Sequence, residues 1–190
     1  MAADPTSAQA FEDRYRAAAD PWDFGGSAYE QGRYDAICSA LRRPRYDRAY
    51  EPGCSVGALT VRLADRCTHL RAVDVSPTAV AQAAERCAHL PHVDLAVASV
   101  ADDPLKEHDL VVFSEIGYYF AVAELDRIIE RLAASVAPGG ELVTCHWLGE
   151  SVDHRLHGSV VHQRLHRLLR LDHVHHDTPP GFVLDVWRRP

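Results

Sequence analysis

The residues of this chain that could do chemistry fall into a few short groups. Glu51, Gly53, Cys54 and Gly57 lie in one stretch, Arg-Ala-Tyr-Glu-Pro-Gly-Cys-Ser-Val-Gly, from 48 to 57. Asp74, followed by Val75, comes 21 residues after Gly53. Ser99-Val100, Ser114-Glu115 with Tyr118-Tyr119, and His146-Trp147 complete the set. The first stretch reads as a strand, a glycine turn and a helix, an arrangement that turns backbone N–H groups toward a ligand. The dinucleotide fingerprint G-x-G-x-x-G laid from Gly53 would need glycine at 55, where Ser55 stands; Ala58 fits its last position. That second glycine exists to let a pyrophosphate approach the backbone, so its loss argues against a diphosphate cofactor. No G-x-x-x-x-G-K-[ST] is present and no lysine lies in the turn. A nucleoside ligand without phosphate, such as S-adenosylmethionine, fits what remains. An acid at the end of the next strand, Asp74, is placed to accept hydrogen bonds from ribose hydroxyls.

The elements that must position these groups are legible from periodicity and punctuation. Helices are expected at 7–19, capped by Thr6 or Ser7, and at 27–42, with the loop Pro21-Trp22-Asp23-Phe24-Gly25-Gly26 between them. From 48 onward strands and helices alternate. Strands are expected at 48–51, 70–75, 93–98, 109–114 and 141–146, and helices at 57–66, 77–88 and 121–136. Ser76 caps the helix that Pro77 opens, and Ala137-Pro138-Gly139-Gly140 is read as the turn before the fifth strand. A helix near 158–170 precedes two extended runs joined by Thr178-Pro179-Pro180-Gly181, a hairpin signal. The expected fold is α/β: a Rossmann-like, doubly wound, mostly parallel seven-stranded sheet with a C-terminal antiparallel hairpin and N-terminal helices covering the cofactor pocket. One domain is expected over 1–190, divided into a helical lid, 1–45, and an α/β core, 46–190.

Bulk properties narrow the function classes. The 190 residues carry a formal net charge of −7, against a phosphate-binding basic face, so no nucleic-acid partner is expected. The five cysteines include no C-x-x-C pair, and neither a secretion signal nor a membrane-length apolar run is visible. The expected location is therefore cytoplasmic. Eight of the 12 histidines lie at or after position 146, with His154/His157 and His162/His166 at helical spacing. No carboxylate spacing completes a metal set around them, so no metal is expected.

Taken together, Glu51-x-Gly53-x-x-x-Gly57, Asp74, the Ala137-Pro138-Gly139-Gly140 turn and the final hairpin resemble a class I S-adenosylmethionine-dependent methyltransferase over about residues 46 to 190. More narrowly, Pro21-Trp22, Tyr29-Glu30 with Arg33-Tyr34, Glu51-x-Gly53-Cys54, Ser114-Glu115 with Tyr118-Tyr119, and His146-Trp147 make the chain similar to the nodulation protein S family. Founding members of that family N-methylate the amino sugar of chitooligosaccharides. The resemblance implies that Trp22, Arg33, Glu51, Gly53, Cys54, Gly57, Asp74, Val75, Ser99, Val100 and Ser114 hold S-adenosyl-L-methionine, with S-adenosyl-L-homocysteine as product. It implies a small-molecule acceptor, an amine or alternatively a hydroxyl. His146 is the expected general base, since its ordinary pKa suits neutral pH, with Glu115, Tyr118 and Tyr119 orienting the acceptor. A nicotinamide-dependent oxidoreductase and a non-catalytic cofactor-binding module are the competing classes; Ser55 and the closing hairpin speak against the first.

Overall fold

The computed structural model describes residues 4–190. Two helices lead the chain: α1 (Ala8–Ala17) and α2 (Ala28–Ala40). Each starts where a serine hydroxyl accepts an amide three residues on, Ser7 from Ala10 and Ser27 from Glu30. There follow β1 (Tyr46–Pro52), α3 (Ala58–Ala64), β2 (Cys67–Asp74), α4 (Pro77–Arg86), β3 (Val93–Val97), β4 (His108–Ser114), α5 (Val122–Ser135), β5 (Val136–Trp147), α6 (Gly158–Leu168), β6 (Asp172–Asp177) and β7 (Phe182–Arg188). A short 3-10 turn, Gly117–Tyr119, lies between β4 and α5. The seven strands form one mixed sheet in the order β3-β2-β1-β4-β5-β7-β6. This is the doubly wound α/β architecture expected from the alternation.

The backbone divides into two compact units, Met1–Ser99 and Val100–Pro190. Helices α1 and α2 fall in the first unit with the first three strands. In the first unit β1 pairs parallel with β2, with Glu51 beside Ala72, and β2 pairs parallel with β3, with Asp74 beside Val97. Its core is built from Tyr46, Tyr50, Leu63, Leu70 and Ile37, all essentially inaccessible. In the second unit β4 pairs parallel with β5, and β5 and β6 both pair antiparallel with β7. Amphipathic α5 buries Leu125, Ile128, Ile129 and Leu132, while β4 is apolar on both faces.

One boundary differs from expectation. The Ala137-Pro138-Gly139-Gly140 run does not precede β5 but lies inside it. The β4–β5 register jumps there, from His108 opposite Val136 to Leu110 opposite Glu141. Pro138 has no N–H to give the ladder and Gly139 takes a left-handed φ of 74°, so the strand bulges and resumes. Among the described residues no helix is long and apolar enough to cross a membrane.

Candidate active site

In the first unit the carboxyl ends of β1 and β2 are joined through the turn after β1. Gly53, Ser55 and Gly57 all take left-handed backbone, with φ of 74°, 51° and 78°. At Gly57 a Cβ would also meet Ala83 Cα at 3.1 Å, so close packing on α4 adds to the need for glycine. Four amides of the turn, those of 53, 54, 55 and 57, are used within the protein. Gly53 N and Cys54 N both donate to Val73 O, at 2.7 and 3.0 Å, and Gly57 N donates to Cys54 O at 2.9 Å. Ser55 N donates to Asp74 Oδ2 at 2.9 Å. Helix α3 has only seven residues. This is not a phosphate cradle, in which unpaired N–H groups point at the anion.

Asp74 is 8 % exposed, and its other oxygen accepts from Ser76 N at 2.9 Å. The carboxylate therefore fastens the turn to the start of α4 as well as standing at the end of β2. Burial raises its pKa, and backbone hydrogen bonds from Ser76, Ser55 and Val75 oppose that. Glu51 is fully enclosed at the end of β1, and its Oε2 has no hydrogen-bond partner. Desolvation pushes its carboxyl up to about 8; the Thr60 hydroxyl pulls the other way and the Asp74 charge adds to the rise. A buried carboxyl of this kind favours a cation beside it. The Cys54 thiol is buried and pushed well above its ordinary value by desolvation, so it is unreactive.

Helix α1 and the loop after it dock on this turn. Tyr15 Oη lies 2.5 Å from Ser55 Oγ. Glu12, which sequence reading passed over, reaches α4: it accepts from Ser76 Oγ at 2.7 Å, Thr78 N at 3.0 Å and Thr78 Oγ1 at 2.7 Å. These bonds, that from Ser76 first, hold its carboxyl down at about 2. Its charge sits on the first turn of α4, where the helix dipole favours an anion. Trp22 packs among Phe11, Tyr15 and Phe24 and against the cluster of Tyr15, Val56 and Ala79. Arg33 is 1 % exposed and pairs with Glu30 one turn earlier, with its guanidinium 5.8 Å from the Tyr34 ring. Its carboxylate partner here is thus Glu30 of the same helix. Val75 and Ser99 are partly buried, and Ala98 N, beside Ser99, donates to Asp74 O.

In the second unit the structure brings Glu115, Tyr118, Tyr119, His146 and Trp147 together. Val100 is buried, and Ser114 Oγ at the end of β4 is buried without a hydrogen-bond partner. Glu115 takes a left-handed φ of 61°, a strained backbone for a non-glycine residue. Such strain clusters at working sites. Its Oε1 accepts from Trp147 N at 2.6 Å and its Oε2 from Tyr118 Oη at 3.0 Å.

His146 is enclosed and engaged at both ring nitrogens. It is 0 % exposed, and its Nε2 accepts the Gly117 amide at 3.1 Å. Its Nδ1 faces His162 Nε2 at 3.1 Å, and His162 Nδ1 meets Asp185 Oδ2 at 2.5 Å. A carboxylate only accepts, so the protons run one way: His162 donates to Asp185, His146 donates to His162, and His146 Nε2 keeps its lone pair for Gly117. The contact is close enough that a Cβ on Gly117 would lie 2.7 Å from His146 Nε2. His146 thus braces the Gly117–Tyr119 turn through the Gly117 amide. The imidazole that sequence reading missed is His154. It stacks on Tyr118, centroids 3.8 Å apart at 17°, and meets Tyr119 and Trp147 edge-on. Its Nδ1 has no hydrogen-bond partner, and desolvation lowers its pKa, keeping the ring neutral near pH 7. The amides of Arg155 and Leu156 bind Tyr118 O and hold this segment in place.

The expectation that no carboxylate completes a histidine set is also corrected. Asp185, buried in β7, gathers His166, His173 and His176, with potential ligand atoms all within 4.8 Å of one another. The signal was hidden because Asp185 sits inside the apolar run Phe-Val-Leu-Asp-Val-Trp.

Comparison with known proteins agrees with this framework. A model of nodulation protein S (NodS) matches residues 5–154. Nodulation protein S of Sinorhizobium fredii is 33% identical over 143 residues, 74% of this chain and 64% of that protein. That of Rhizobium tropici is 34% identical over 133 residues, 68% of this chain and 56% of that protein. The chain thus spans less than two thirds of the length of either curated relative. A crystal structure from Pseudomonas syringae shares 35% identity and a TM-score of 0.75, covering 86% of this chain and 100% of that one. The N-methyltransferase NodS of Bradyrhizobium japonicum WM9, solved with S-adenosyl-L-homocysteine, has a TM-score of 0.86 at 24% identity, covering 96% of this chain and 98% of its own; that likeness carries the fold. On the family match and on the identity shared with these relatives, the chain belongs to the nodulation protein S family.

Proposed function

We propose that this chain is an S-adenosylmethionine-dependent methyltransferase acting on a small-molecule amine. The observation that carries the reading is the turn after β1. Its amides at 53, 54, 55 and 57 are used internally, while Glu51 holds a buried oxygen without a partner. Such a turn offers curvature and a buried carboxyl that a neighbouring cation would ionise, which suit a cationic, phosphate-free ligand and not a pyrophosphate. The solved complex of the family's N-methyltransferase with S-adenosyl-L-homocysteine supports the same ligand class.

The cofactor, when bound, supplies an electrophilic methyl group on a sulfonium sulfur. In this reading Asp74 accepts the ribose hydroxyls with the lone pairs its backbone bonds leave, Glu51 balances the charge of the aminoacyl end, and Gly53 and Gly57 let the chain curve around it. Trp22, Arg33, Cys54, Val75, Ser99, Val100 and Ser114 complete the cofactor contacts. Glu115, Tyr118 and Tyr119 orient the acceptor, and the protein's contribution to the rate is alignment and exclusion of water. An amine attacks only when neutral, so a base is needed near pH 7. His154, kept neutral by burial and with Nδ1 unengaged, takes the proton. The acidic chain and its lack of a [DN]-P-P-[YFW] motif agree with a small acceptor over nucleic acid.

Methyl-labelled cofactor incubated with panels of amines, amino sugars and alcohols tests the assignment. Label should pass to amines. His154→Asn should lower kcat by roughly 10²-fold with KM little changed, and should flatten the acid limb of the pH–rate profile. Transfer only to hydroxyl acceptors would overturn the amine assignment, and an unaltered profile in His154→Asn would remove the base.

A further inference from the structure

We propose that His166, His173, His176 and Asp185 form a site for one divalent transition-metal ion of the zinc type. The site lies outside the groups assigned to methyl transfer. Three elements of the second unit converge on it. Helix α6 supplies His166, β6 supplies His173 and His176, and β7 supplies Asp185.

The strand geometry makes the convergence specific. Side chains alternate along a strand, so residues 173 and 176 should face opposite ways. The β6–β7 register shifts between His173 and His175, leaving His173 opposite Trp187 and His176 opposite Asp185. The extra residue lets both imidazoles share the face that carries Asp185 and Trp187, a common use of a bulge. His173 Nε2 then lies 2.8 Å, and His176 Nδ1 2.7 Å, from Asp185 Oδ1. His166 Nε2 is 3.5 Å from Asp185 Oδ2. Ligand atoms around a tetrahedral zinc ion stand about 3.3 Å apart, so small side-chain rotations suffice.

The surroundings are those of a ligand set. Trp187 stacks on His173, centroids 4.3 Å apart, and meets His166 edge-on at 4.6 Å, fixing both rings. Asp185 Oδ2 accepts from His162, the kind of second contact that orients a ligating carboxylate. An open cleft of about 640 Å³, lined in part by His162 and Val183, reaches one of the four groups, His166. Three imidazoles and one carboxylate suit zinc and its borderline neighbours over calcium or magnesium, which take oxygen ligands. Binding would replace the N–H protons that now point at Asp185 and would clamp α6 to the closing hairpin.

The test is titration of chelator-stripped, tag-free protein with Zn²⁺ against a chromophoric chelator, repeated with Co²⁺ to read coordination. Its readouts are independent of methyl transfer. One Zn²⁺ per chain should bind in the sub-micromolar range, raise Tm, and give a Co²⁺ spectrum with the intensity of tetrahedral coordination. His166→Ala and His176→Ala, both exposed and so tolerated by the fold, should each weaken binding by more than about tenfold. His69→Ala and His89→Ala, exposed histidines of the first unit, should leave it unchanged. Absence of saturable binding, or equal affinity in His176→Ala and the unaltered chain, would overturn the site.

Discussion

Glu51 combines burial with an oxygen that has no partner, and holds a proton until a cation or high pH removes it. Its carboxyl is raised to about 8, so between the ordinary value of 4.5 and 8 the folded state holds a proton that the unfolded state has lost. Folding stability from this group is complete below 4.5 and declines as pH rises through 8. Glu51→Gln should therefore raise the Tm of the ligand-free chain by roughly 5 °C at pH 9 and change it little at pH 4. The same substitution should weaken S-adenosylhomocysteine binding by about tenfold or more, since a neutral amide cannot balance a cation. Equal Tm changes at the two pH values, followed by calorimetry, would show that Glu51 is not the buried acid described. His146 and His154 make the complementary lesson. Residue type and strand-end position single out His146, but burial and the His162 contact are not written locally, and they leave the unengaged nitrogen to His154.

Among elements, α1 is the one whose attachment can be dissected. Glu12 fastens it to α4 and Tyr15 fastens it to the turn. Because the Glu12 carboxyl is lowered to about 2, its contribution is present above 4.5 and is lost as pH falls toward 2. Glu12→Ala should speed amide exchange across 8–17 by about tenfold while sparing β1 and β2. Uniform acceleration through the first unit would mean α1 is not separately held. Gly57→Ala forces alanine into left-handed backbone against Ala83 and should cost about 1–3 kcal/mol in denaturant unfolding. A neutral effect would mean the turn relaxes without strain. The strands and helices themselves were readable because their signals are local: Ser76-Pro77 caps and opens α4, and 109–114 is a continuous apolar run. The start of β5 was not, because Pro138-Gly139-Gly140 has the composition of a terminator yet is accommodated as a bulge. The Asp185 cluster was not, because it needs a register shift and a buried acid in an otherwise apolar strand.

For the whole molecule, an acidic chain of the nodulation protein S family carries the Glu51–Gly57 turn and Asp74 in one compact unit and Glu115, Tyr118, Tyr119 and His154 in the other. The alternation of elements and the Glu51–Gly57 and Asp74 landmarks made the fold and cofactor class legible. The amine acceptor stays a matter for labelled transfer. The central claim, that the turn after β1 receives a phosphate-free adenosyl ligand, is tested most directly by amide spectra of the labelled chain titrated with S-adenosylhomocysteine and, separately, with NAD. Saturable shifts should centre on residues 53–57 and 74–76 with S-adenosylhomocysteine, and NAD should produce none. Saturation by NAD at those amides, or S-adenosylhomocysteine shifts confined elsewhere, would contradict it.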